Sequence, residues 1–97
     1  MLTSKQRAAL RGAASVQEPI FQIGKEGVGE NLTAACDSAL TARELIKITV
    51  LKTAPLTPRE AGELLAEKLR AEFVAAIGSK CILYRYSKNK TDHVSLG

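Results

Sequence analysis

Gly24-Lys25-Glu26-Gly27 is the segment of this 97-residue chain whose residue types and spacing come closest to a chemical site. Glycines let a phosphate approach backbone N–H groups closely, Lys25 adds a point charge, and the residues that follow read as the start of a helix, whose N-terminal end is positive. The same four residues also suit a plain strand-to-helix turn, and Glu26 cancels Lys25 locally. The loop alone leaves both readings open. Other cations add to the picture. Arg7 and Arg11, four apart on a helix pattern, share one face, a like-charge pair that costs an isolated helix about 0.2 to 0.5 kcal/mol and that an anionic partner would offset. Lys47 and Arg85 fall within strand patterns, and Lys80, Lys88 and Lys90 flank the last strand, where solvated charge is the ordinary reading. Tyr84 and Tyr86 alternate with Arg85 and could stack on bases, but aromatics at strand spacing more often pack in a core, so neither is assigned to a ligand.

No catalytic constellation assembles. The single histidine, His93, lies in a polar C-terminal stretch, so a Ser-His or Cys-His pair would depend on a base that nothing nearby holds in place. The glycine loop lacks the Gly-x-x-x-x-Gly-Lys-Ser/Thr spacing of a nucleotide-binding P-loop, and no Gly-x-Gly-x-x-Gly follows a strand. Cys36 and Cys81 are far apart with no neighbouring Cys or His, which excludes a zinc spacing and predicts two reduced core thiols. The expectation is a protein that is not an enzyme, with no cofactor, no metal and no small-molecule substrate.

Composition agrees with a binding role. Lys plus Arg number 14 against 10 Asp plus Glu, a net charge of +4 that favours a polyanion. The basic excess sits in residues 1–28 and 80–97, and the middle is near neutral. A hydrophobic content of 45% supplies one modest core, and the length suits one domain spanning 1–97. There is no apolar run of signal-peptide or membrane-span length, so a cytoplasmic protein with no membrane contact is expected.

The elements that must position these residues are legible from period and punctuation. Thr3 followed by Gln6 is a capping-box pattern opening a helix to about Ala14. Ile20 to Ile23 reads as a short strand that the glycine loop ends. A second helix, about Glu30 to Ala42, carries a buried stripe of Leu32, Ala35, Cys36, Ala39 and Leu40. Leu45 to Leu51 reads as a strand, with Lys47 opposite the apolar set of Ile46, Ile48 and Val50, on a face expected to be open to solvent. Thr57-Pro58-Arg59-Glu60 opens a third helix to about Ala71, burying Ala61, Leu64, Leu65 and Leu69. Phe73 to Ile77 and Cys81 to Tyr86 form a hairpin across Gly78-Ser79. The result is a single compact α/β domain of order α-β-α-β-α-β-β with a mixed four-stranded sheet, folded over about 3–86, with a loose polar tail over 87–97.

Three stretches, in this order, resemble one family: Ile20-Phe21-Gln22-Ile23-Gly24-Lys25-Glu26-Gly27, then Glu44-Leu45-Ile46-Lys47-Ile48, then Ile77-Gly78 through Ile82-Leu83-Tyr84-Arg85. Together they are similar to the CRM domain, named for chloroplast RNA splicing and ribosome maturation, and to its stand-alone bacterial YhbY-type members. The resemblance implies a fold similar to the C-terminal domain of translation initiation factor three. It also implies RNA binding, with ribosomal RNA or a precursor of the large ribosomal subunit as partner. The glycine loop is the presumed RNA contact of that family, which carries over to Gly24, Lys25 and Gly27 with Glu26 between them; Lys47 and Arg85 are further motif residues. Charge placement adds Arg7, Arg11 and Lys88. A monomer is expected. The competing function is a protein-interaction module within a ribosome-assembly complex. Two departures stand out: Gly29 occupies a position where the family often has Thr or Ser, removing a side-chain cap from the second helix, and Tyr86 follows Arg85 where Pro is common.

Overall fold

The computed structural model describes residues 2–88, 93 and 94. Three helices, α1 (Ser4–Ala14), α2 (Glu30–Arg43) and α3 (Pro58–Leu69), alternate with four strands, β1 (Phe21–Ile23), β2 (Leu45–Val50), β3 (Glu72–Ile77) and β4 (Lys80–Tyr84), in the expected order. Both capping boxes form. Thr3 Oγ1 accepts from the Gln6 N–H while Gln6 Oε1 accepts from the Thr3 N–H, and Thr57 and Glu60 repeat the arrangement at α3 with Pro58 in its first turn. Each box satisfies two amide donors that a helix start otherwise leaves without partners. Gly29 caps α2 with no side-chain bond.

The sheet order is β1-β2-β4-β3. β1 runs parallel to β2 with Phe21 opposite Ile48, and α2 provides the crossover that a parallel pair requires. β4 is antiparallel to both neighbours, with Leu45 and Glu72 each paired to Tyr84. The last strand to be made is therefore an inner one. Alternation along β2 and β4 divides the apolar side chains between two cores. Ile46, Ile48, Val50, Cys81 and Leu83 meet Cys36 and Leu40 of α2 and Ala61, Leu65 and Leu69 of α3. Leu45, Ile82 and Tyr84 point the other way and meet Leu10 and Ala14 of α1, together with Val74. Both cysteines are free and buried, as expected of core thiols.

Four expectations are corrected. The Lys47 face is not open to solvent: α1 covers it, because its small Leu10 and Ala14 surface has nowhere else to be buried. Leu64 is 37% exposed, and Gly62 and Ala66 take its place in the buried stripe of α3. The cause is close packing, since a Cβ on Gly62 would lie 2.6 Å from Phe73 Cε1, so the helix turns its smallest residue to the sheet. β4 stops at Tyr84, which is buried, whereas Tyr86 is exposed and stacks on His93. Finally, within the segment from Ser87 expected to be loose, the described residues Ser87, His93 and Val94 are each held by Glu44. That carboxylate is fully buried and accepts from the N–H groups of Ser87 and Val94 and pairs with His93 Nδ1. Residues 89–92, with Lys90 among them, and 95–97 of the expected tail lie outside the described residues.

Glu44 also has φ of +66°, in the region that disfavours side chains, and it is the only residue between α2 and β2. The chain reverses there in one step. A glycine would make that turn with less strain, but it would leave the Ser87 and Val94 amides without their acceptor.

Candidate nucleic-acid interface

The glycine loop is a closed turn, with the Gly27 N–H donating to Gly24 O at 2.9 Å. Its two glycines differ. Gly27 has φ of +71°, and a Cβ there would stand 3.1 Å from Pro55 Cγ, so both backbone and packing demand glycine. At Gly24 an added Cβ would make only an ordinary contact with Leu51 Cδ1 at 3.9 Å. The turn is thus propped from behind by the connector after β2, which is itself held where the Leu51 N–H donates to Ile23 O. Lys25 and Glu26 are left exposed at the tip.

Beside the tip opens a cleft of about 660 Å³ lined by Gln22, Gly24 to Gly27 and Gly29 to Leu32. The first turn of α2 faces it, and because the cap is glycine no side chain occupies the leading amides. Thr33 turns away, its hydroxyl donating back to Gly29 O at 2.8 Å. Uncapped amides at a positive helix end can donate to phosphate oxygens. The cleft is nevertheless not cationic in its side chains, since Lys25 is set against both Glu26 and Glu30.

Of the residues expected at the interface, this cleft brings together Gly24, Lys25, Glu26 and Gly27, and none of the others. Arg7 and Arg11 are exposed on α1, and Lys88 is exposed beyond β4. Lys47 and Arg85 hold the fold together. Lys47 Nζ donates to the carbonyls of Ala14 and Gln17, closing the C-terminal end of α1. Arg85 does the same at α3: one nitrogen donates to Leu69 O and to Asp37 Oδ1, and the other to Asp37 O and Thr41 Oγ1, clamping α2 to α3. Each cation therefore meets the last carbonyl of a helix, where the dipole is negative. Gln22, Glu30 and Asn31 line the cleft without having been singled out; the only local signal for them was the missing cap at Gly29.

Among the described residues no group of three or more His, Cys, Asp or Glu side chains could hold a metal ion, and no helix is long and apolar enough to cross a membrane. The architecture is that of a small α/β domain with a cleft at the uncapped start of α2. The model of the CRS1 / YhbY (CRM) domain matches residues 2–85, and the chain belongs to that family. It is 42% identical over 88 residues to YqeI of Bacillus subtilis, named a probable RNA-binding protein, spanning 91% of this chain and 92% of the relative. A Haemophilus influenzae protein named RNA-binding protein is 31% identical over 87 residues, covering 90% of this chain and 88% of its own length. The fold matches the solution structure of a Staphylococcus aureus protein described as a candidate RNA-binding protein, with a TM-score of 0.80 at 45% identity, covering 98% of this chain and all of that one.

Proposed function

We propose that this protein binds RNA, docking on folded ribosomal RNA and assisting maturation of the large ribosomal subunit. The observation that carries the reading is the uncapped start of α2 opening beside an exposed Gly-Lys-Glu-Gly tip, a ready place for a phosphate group. The names of the full-length relatives support RNA as the polyanion, and the family resemblance supports the ribosomal assignment. Backbone phosphates are held by the loop amides and Lys25, and Arg7, Arg11 and Lys88 extend the footprint, so shape matters more than base identity. The protein acts in the cytoplasm as a monomer, without a cofactor, and is not an enzyme. Among the described residues the exposed large apolar side chains are Val16, Leu51, Leu64, Ile77 and Tyr86, which come from five different stretches of the sequence.

Binding to fragments of large-subunit ribosomal RNA across a salt series tests this. With about six phosphates contacted, affinity falls by roughly three powers of ten between 50 and 200 mM salt, and Lys25→Glu weakens binding and flattens the slope. No binding by the wild type at any salt concentration would overturn the reading.

A further inference from the structure

Arg11 lines a second cleft, of about 610 Å³, between α1 and the start of β4, which shares no residue with the glycine-loop cleft. Its walls are Ala8, Arg11, Gly12 and Ser15 from α1 and Lys47, Ile77, Lys80 and Ile82 from the sheet, with no acidic side chain among them. Register explains the crowding of charge. Lys47 is directly opposite Ile82, and Lys80 is two residues from Ile82 on the same face, so the two lysines occupy diagonally neighbouring positions. Arg11 lines the same cleft from the helix. Lys47 is anchored on the Ala14 and Gln17 carbonyls, whereas Arg11 and Lys80 make no side-chain hydrogen bond or ion pair among the described residues. Three like charges in a cleft with apolar walls concentrate positive potential, and no described acidic side chain lines the cleft to offset it.

Gly12 is an independent sign. Glycine is disfavoured in a helix relative to alanine, and here neither left-handed backbone nor close packing explains it, because an added Cβ would meet nothing within 4 Å. What glycine does at this position is keep the wall of the cleft low, so that another backbone can approach α1.

We infer that the groove between α1 and the start of β4, with Arg11, Lys47 and Lys80 on its walls and Gly12 at its rim, is a second and more strongly cationic seat for the RNA phosphate backbone. The inference rests on the RNA-binding reading and deepens it. Charge selects a polyanion, and a groove holding three cations suits successive phosphates of one strand better than a single anion. The glycine loop then contributes amides at one site while this groove contributes most of the salt-dependent attraction.

The test uses the full chain labelled with ¹⁵N and titrated with a short RNA hairpin, with affinities measured over a salt series. Amides of Gly12, Ser15 and Lys80 should shift alongside those of the glycine loop. Arg11→Glu/Lys80→Glu should weaken binding by roughly ten- to a hundredfold and lower the salt slope by about two, more than Lys25→Glu does. Gly12→Leu should weaken binding while leaving the fold at least as stable, which separates blockage from unfolding. If these variants bind like the wild type while Lys25→Glu binds more weakly, the groove assignment falls and the RNA reading stands. If the wild type binds no hairpin and no ribosomal fragment, both fall. A groove that responds to polyglutamate and not to the hairpin would overturn RNA as its occupant.

Discussion

Lys47 Nζ donates to the carbonyl of Ala14, the last residue of α1, at 3.1 Å across 33 positions of sequence. The bond places a cation at the negative end of the helix and fixes α1 to the middle of the sheet. Lys47→Met should therefore cost about 1.5 to 3 kcal/mol, the range for a hydrogen bond to a charged group. Urea unfolding measures it, and an unchanged midpoint would show that Ala14 and Gln17 find water instead.

The buried Glu44 makes stability depend on pH. Burial alone would raise its pKa, but hydrogen bonds from the Ser87 N–H, the His93 ring and the Val94 N–H, with the His93 charge, outweigh it and hold the carboxyl below its ordinary value. A group whose pKa is lower folded than unfolded stabilises fully above the unfolded value, and that stabilisation is lost as pH falls through the folded one. Glu44→Gln should be less stable than the wild type near neutrality, and the gap should narrow as pH drops below about 4.5. Chemical denaturation of both proteins across pH checks the sign; a gap that widens in acid would contradict it.

The two loop glycines should separate stability from binding. Gly27→Ala forces a side chain into left-handed backbone and against Pro55, and should cost about 1 to 2 kcal/mol. Gly24→Ala should change stability by less than about 0.5 kcal/mol. If RNA approaches the loop backbone closely, Gly24→Ala weakens binding all the same. Thermal melts paired with binding curves show whether the two effects part company.

Burial pushes the Cys36 thiol up to about 11, and burial together with the neighbouring Cys36 pushes Cys81 up to about 12. Thiolate is the nucleophile, so both residues should resist alkylation at neutral pH and react only on unfolding. Iodoacetamide labelling followed by mass spectrometry, in buffer and in urea, reads this directly. Fast labelling in buffer would place at least one thiol at the surface.

What the chain discloses in sequence is what short-range physics decides. Thr3 with Gln6, Thr57 with Glu60, the glycine loop and the hairpin turn at Gly78 all act within a few residues, and each is found where the pattern put it. The sheet faces of Ile46, Ile48 and Val50 also follow, because alternation is a local rule. Partners chosen across the fold do not follow. Arg85 meets Asp37 from 48 positions away, Ser87 and His93 meet Glu44, and Lys80 joins Arg11 only after β4 has entered the sheet. Charge in the sequence named the cations, but only the packing distinguished those that brace a helix end from those left facing a cleft.

The position of β4 also governs how the molecule can be made. β2 and β3 pair with β4 and not with each other, so a growing chain that ends at Gly78 holds β2 with β1 on one edge and nothing on the other, and β3 with no partner at all. The sheet closes in a single late event once residues 80–84 emerge, and α1, synthesised first, waits for the same event to gain the Ile82 and Tyr84 surface it packs on. Until then those edges are open to pairing with other chains, and truncation ahead of β4 removes the common partner of both halves of the sheet.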